Sequence, residues 1–150
     1  MAIYDYLPTF NYIEPNNLKG LQPGFVVAQV EAVSADLLDD KGMFENGKIC
    51  ALEMVENVLT IVPATASHKT VFIHYTEPLN TVFNSDKYFA IDPTKECPRL
   101  VQLIAGDEWM STDATIALEG RIAKVTDTKG WYSVTKMANG DNGHHYVFLG

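Results

Sequence analysis

Four histidines, two cysteines and a scatter of carboxylates are the residues of this 150-residue chain whose chemistry invites a site. The closing stretch NGDNGHHYVFLG, 139–150, sets His144 and His145 side by side, just after Asp141 and not far along the chain from Asp127. Metal binding would require both rings to converge on one point. Side chains alternate across a strand, so adjacent histidines in a regular strand face opposite sides of the sheet. A terminal hairpin is the simpler reading: ANGDNG supplies Gly140 and Gly143 to a bulged or longer loop, leaving one histidine outward and one partly inward. His68 and His74 have even spacing, which puts them on one face of an extended run but about 20 Å apart. His68 lies in a turn-like SHK, and His74 is expected on the polar or lightly packed face of its strand. Both read as structural.

The acidic group Asp36, Asp39, Asp40 and Glu45 is the best cation candidate, because calcium is held by six to eight oxygens. DLLDDKGMFE lacks the D-x-D-x-D-G spacing of an EF-hand, so a solvated acidic loop is expected instead. Cys50 sits in an apolar run and Cys97 precedes Pro98, with no local base to activate either thiol. There is no CxxC pair for structural zinc, and GxSxG, HExxH, P-loop and GxGxxG are all absent. Two reduced thiols are expected, a single Cys50–Cys97 bridge being the alternative. No catalytic residue, no metal site and no cofactor follows from these residues, and the chain reads as a non-enzyme. The aromatics are more suggestive. Trp109, Trp131 and Tyr132 are candidates for stacking on a sugar ring or packing in an interface, although each lies in a strand-like run that core packing also explains.

The elements that must position these residues are short strands. GFVVAQVEAV, 24–33, is β-branched and loosely alternating. SADLLDDKGMF, 34–44, reads as a single helical turn capped by Ser34 or as a loop, and ENG, 45–47, as a tight turn. KICALEMV, 48–55, and VLTIVPA, 58–64, flank Glu56-Asn57 as a hairpin, with a helix over 48–57 as the rival. KTVFIHYTE, 69–77, is the clearest strand, with Val71, Ile73 and Tyr75 on one face and Phe72, His74 and Thr76 on the other. Residues 79–92 hold one or two short strands around an Asn84-Ser85-Asp86 turn, and 92–98 is a Pro-bounded loop. RLVQLIAGDEWM, 99–110, reads as strand, Gly-Asp turn, strand, and 115–126 as apolar positions about a central Gly120. WYSVTKM, 131–137, and HHYVFL, 144–149, close the chain as paired strands. Short strands with regular turn signals and almost no helical period predict an all-β fold, an antiparallel β-sandwich or barrel.

Residues 1–20 differ from the rest. MAIYDYLPTFNYIEPNNLKG holds Tyr4, Tyr6, Phe10 and Tyr12, two prolines and no clean period. This predicts an extended N-terminal arm, 1–20, ahead of a β-domain, 21–150. Four aromatics have too much surface for a solvated tail, so the arm either wraps its own domain or docks on another subunit, with those four residues as anchors.

Bulk properties bound the partners. A net charge of −8, with acids exceeding bases in both halves, argues against nucleic-acid binding, which needs a basic face. No apolar stretch approaches the length of a membrane-spanning helix, and MAIYDYLPTF has no basic n-region of a signal peptide. A protein made in a reducing cytoplasm, without membrane or nucleic-acid partner, is the expectation.

RLVQLIAGDEWMSTDATI, 99–116, resembles a pattern of small bacteriophage virion proteins: a strand, a Gly-Asp turn, an aromatic and a Thr-rich segment, followed here by KGWYSV after TDT. FENGKICALE, 44–53, is similar to the early Asn-Gly hairpin of such capsid-associated proteins. The similarity consists of turns and strands rather than chemistry, does not extend over 54–98, and carries over no functional residue. It implies a structural protein of the virion, of the capsid decoration or auxiliary head type, contacting the major capsid protein or other virion proteins, with homo-oligomers on the assembly. A receptor-facing, carbohydrate-binding β-module of a virion or other surface assembly is the alternative, and it requires an exposed Trp109 or Trp131.

Overall fold

A computed structural model describes residues 18–19, 28–76, 90–111, 115–125 and 144–150. Twelve short strands run through them: β1 Leu18–Lys19, β2 Ala28–Gln29, β3 Ala32–Val33, β4 Phe44–Glu45, β5 Ile49–Val55 and β6 Val58–Pro63, then β7 Phe72–His74, β8 Ala90–Ile91, β9 Arg99–Gln102, β10 Glu108–Ser111, β11 Ile122–Val125 and β12 His144–Phe148. The fold is all-β, with only two single 3₁₀ turns, Ala35–Leu37 and Leu118–Gly120, among the described residues. A four-stranded antiparallel sheet has the order β1-β10-β12-β11, and a six-stranded mixed sheet the order β2-β9-β7-β5-β6-β3. A two-stranded sheet pairs β4 with β8.

Alternation along the strands of the six-stranded sheet divides the interior into two layers. Val71, Ile73 and Tyr75 around β7, with Val101 and Leu103 around β9, turn to one side and meet Trp109, Ile122, Tyr146 and Phe148 of the four-stranded sheet. Phe72 of β7, Cys50 of β5 and Leu100 of β9 turn to the other side, where Leu37, Phe44 and Ile91 cover them. The six-stranded sheet is therefore packed on both faces, and every residue from Val71 to Thr76 is buried. The expectation of a polar or lightly packed face for His74 is corrected here. A two-state pattern along one strand separates the faces but cannot reveal that β4 and β8 close over the second one.

Turn chemistry agrees with the sequence where bonding is local. Glu56 and Asn57 have φ of 49° and 66°, the two positive values that a two-residue I′ hairpin needs, and β5 pairs with β6 from Val55↔Val58 to Cys50↔Pro63. The helical rival for 48–57 is thereby excluded. Ser34 caps the first 3₁₀ turn, its side chain accepting from Asp36 N–H. The Gly-Asp turn is present, with Gly106 at φ 99° and the Asp107 carboxylate accepting from Ile104 N–H at 2.9 Å. It is no hairpin: β9 belongs to the six-stranded sheet and β10 to the four-stranded one, so this corner passes the chain between layers. Asn46-Gly47 is likewise a turn without a hairpin, since β4 pairs with β8 and β5 with β6 and β7. The C-terminal strand lies between β10 and β11. Its expected partner, 131–137, falls outside the described residues, as do most of 79–92 and of the arm. Only Leu18–Lys19 of the arm are described, and they pair with Trp109 and Glu108 at the edge of the four-stranded sheet.

Candidate interaction surface

His74 is buried, stacked on Phe44 with ring centroids 3.8 Å apart and planes 6° apart. Its Nδ1–H donates to the Glu45 carbonyl at 2.7 Å, and its Nε2 accepts from the Thr76 hydroxyl at 2.7 Å. The direction follows from the next link, where Thr76 Oγ1 accepts the Arg99 N–H at 3.0 Å and so spends its proton on the imidazole. Asn46 completes the set: its Oδ1 accepts from Thr76 N–H at 2.8 Å and its Nδ2 donates to Thr76 O at 3.1 Å. Burial lowers the His74 pKa to about 4, against a smaller opposing effect of the Glu45 hydrogen bond. The ring is neutral, saturated and walled off from solvent, which suits a brace and leaves no lone pair for a substrate or metal. Asn46 was legible in the sequence only as a turn residue; its role depends on a partner 30 positions away.

His68 sits in a more provocative arrangement. Thr65 Oγ1 lies 2.9 Å from Nδ1, and Nε2 lies 2.7 Å from Glu53 Oε1, the hydroxyl–imidazole–carboxylate order of a nucleophilic relay. Yet Thr65's own backbone N–H also donates to Nδ1 at 2.9 Å, and the turn is closed by His68 N–H to Thr65 O at 3.1 Å. The nitrogen that would act as base is thus held by the turn it belongs to. Arg121 clamps the same turn from the other layer, donating through Nη1 to the His68 carbonyl and through Nε to the Gly150 carbonyl at 3.2 Å. The group is a turn brace.

The remaining candidates separate rather than converge. His145 is buried, with Nε2 3.9 Å from Glu108 Oε2, whereas His144 on the opposite face is half-buried. Asp39 Oδ1 accepts from Lys41 N–H and Met43 N–H, tying its carboxylate into the loop, and Glu45 is buried whereas Asp36 and Asp40 are exposed. No cluster of His, Cys, Asp and Glu able to hold a metal occurs among the described residues. Cys50 and Cys97 are both free thiols; Cys50 is buried, which raises its pKa, and Cys97 is exposed. A cleft of about 230 Å³ between Lys48 and Ile49 on one side and Ser111, Leu118 and Ile122 on the other is below the usual size of a ligand pocket.

Trp109 requires a correction. It is 0% exposed and stacks on Tyr146 at 5.9 Å, so it offers no face to a sugar or a partner. β10 is an inner strand, between β1 and β12, and alternation turns Trp109 into the layer shared with β7 and β9. Trp131 and Tyr132 lie outside the described residues, as do Tyr4, Tyr6, Phe10 and Tyr12.

Six large apolar side chains are exposed among the described residues; Ile104 and Leu149 are two of them, and the other four gather at the far end of the β5–β6 hairpin. Met54, Val55, Val58 and Leu59 are 65%, 43%, 54% and 45% exposed. Met54 opposes Leu59 and Leu52 opposes Ile61, so one face of the ribbon runs without a break from buried Cys50 and Ile61 out to Met54 and Leu59. Val55 opposes Val58 on the other face, next to Glu53, where the His68 turn leans in. β7 pairs with β5 only at Ile49 and Cys50. From Ala51 to Val55 that edge of β5 has no strand beside it among the described residues. Apolar side chains and a strand edge with no strand beside it among the described residues thus coincide on one ribbon, a combination that proteins avoid unless something covers it.

Set against known proteins, the chain matches no family model, no curated protein and no solved structure.

Proposed function

We propose that this chain is a non-enzymatic structural protein that acts through protein–protein contact, set in a bacteriophage virion where it decorates or cements the capsid. The observation that carries the contact role is the β5–β6 ribbon, with four apolar side chains in solvent at its tip. The histidine groups support it from the other direction, since the brace around His74 and the turn at His68 use their ring nitrogens on the chain's own atoms. The virion setting rests on the resemblance of 99–116 alone, since Asn46-Gly47 closes no hairpin, and its partners there are the major capsid protein or other virion proteins.

Immunogold labelling tests both parts. Antibody against the chain is expected to mark the heads of virions released by cells that make it. A Met54→Ser, Leu59→Ser variant is expected to stay in the soluble fraction. Unlabelled virions would overturn the virion setting, and wild-type labelling by the variant would overturn the role of the ribbon.

A further inference from the structure

The contact reading leaves open what covers the ribbon, and the geometry points to a segment of this same chain. We propose that residues 4–12 of a second copy dock along β5 as an added strand, with their aromatics on the Leu52–Met54–Leu59 face. The inference rests on the contact role proposed above and names its partner.

Three features select this occupant. The first is spacing. Although residues 1–20 follow no single period, Tyr4, Tyr6, Phe10 and Tyr12 all fall at even positions, with Pro8 in the same series. As a strand, that segment would present one aromatic face. Its odd residues, Asp5, Leu7, Thr9 and Asn11, each keep a backbone N–H to pair with β5, while the missing N–H of Pro8 would point away, as an edge strand tolerates.

The second is reach. The seventeen residues ahead of β1 could span about 55 Å when extended. They leave from the β1 edge of the four-stranded sheet, whereas β11 at its other edge lies beside β5, through Ile122 and Leu118 at the Lys48–Ile49 cleft and Arg121 at His68. The start of β1 and the ribbon thus lie toward opposite edges of the four-stranded sheet. Donation from copy to copy is a head-to-tail contact, which closes into a ring or extends along a lattice.

The third is the weakness of the obvious rival, two ribbons pairing with each other. A two-fold antiparallel pairing over the free stretch Ala51–Val55 would centre on Glu53 and set two carboxylates opposite one another, a destabilising cross-strand pair. The arm segment places no such charge at its centre, where Leu7, Pro8 and Thr9 stand.

Disulfide trapping between separately made proteins decides the matter. Tyr6→Cys and Met54→Cys are introduced on different chains, both carrying Cys97→Ser to remove the exposed thiol. Far-UV circular dichroism and the urea midpoint of each reduced variant establish that it is folded like its parent. On mild oxidation of the mixture, a covalent heterodimer is expected as the main product, and deletion of residues 1–16 is expected to lower the light-scattering mass of the otherwise unaltered protein. No heterodimer, together with an intrachain bridge when both cysteines are on one chain, would show the arm closing on its own ribbon and overturn the exchange. No bridge in either format would overturn the docking itself. Labelled virions without the heterodimer would remove this inference and leave the contact role standing.

Discussion

Two regions of the six-stranded sheet treat their side chains in opposite ways. Around β7, buried polar groups are paired: His74, Thr76 and Asn46 bond to one another and to the backbone of Glu45 and Arg99. At the end of β5 and β6, apolar groups stand exposed. A buried polar group without a partner is expensive, so the interior network is tightly constrained and belongs to the fold. An exposed apolar group adds little to the stability of the isolated chain, so its retention at one tip is better understood through contact than through folding. The contrast divides the sheet into a part that holds the structure and a part that offers it.

If that division is right, substitutions in the two regions should differ in size and in what they affect. Asn46→Ala should have the largest effect on folding. It strips both bonds from the buried Thr76 backbone and is expected to lower stability by about 3 kcal/mol, read from the urea midpoint. A loss comparable to that of a surface substitution would show that the network around His74 does not hold the sheet together.

Acid should act on the same region by almost as much. The folded His74 takes up a proton near pH 4, whereas in the unfolded chain it does so near 6.5. Between these values the unfolded state binds the proton first. Its contribution to stability is therefore fully present above pH 6.5 and falls away as the pH drops toward 4, by up to about 3 kcal/mol. Urea titrations at neutral pH and near pH 4.5 should show the decline, and His74→Gln should shrink it.

The ribbon responds more weakly in folding terms. Replacing Glu56-Asn57 with Asn-Gly suits the two positive φ angles and should stabilise the domain by roughly 1 kcal/mol, seen as a small rise in melting temperature. The smallest expected effect is the most informative. Met54→Ser with Leu59→Ser should leave stability within about 0.5 kcal/mol of the parent, while lowering the light-scattering mass of any assembled form. A large loss of stability without a change in association would place those side chains in the folding unit instead.

The sequence was a good guide wherever a feature depended on neighbours in the chain. The all-β class, the Glu56-Asn57 hairpin, the Ser34 cap, the Gly106-Asp107 turn and the opposed faces of His144 and His145 each follow from spacing, turn residues or alternation, and the structure has them. It was a poor guide wherever a face or an edge had to be assigned a cover. His74 read as lightly packed, and Trp109 as either core or a stacking surface, because nothing near them in sequence reveals that β4, β8 and the four-stranded sheet come to lie over them. For the ribbon the sequence was silent on cover: KICALEMV and VLTIVPA read as a hairpin, and the short reach of β7 beside β5 leaves its far end exposed.

Sequence alone thus determined which residues share a face of each strand and where the chain turns, because backbone sterics and a two-residue period act over a few bonds. Tertiary structure alone decided which faces meet. It sent β9 and β10 into different sheets from a single turn, placed β12 between β10 and β11, and gave Asn46 and Thr76 to each other. Those choices depend on apolar area buried between segments far apart in the chain, and no local pattern encodes that.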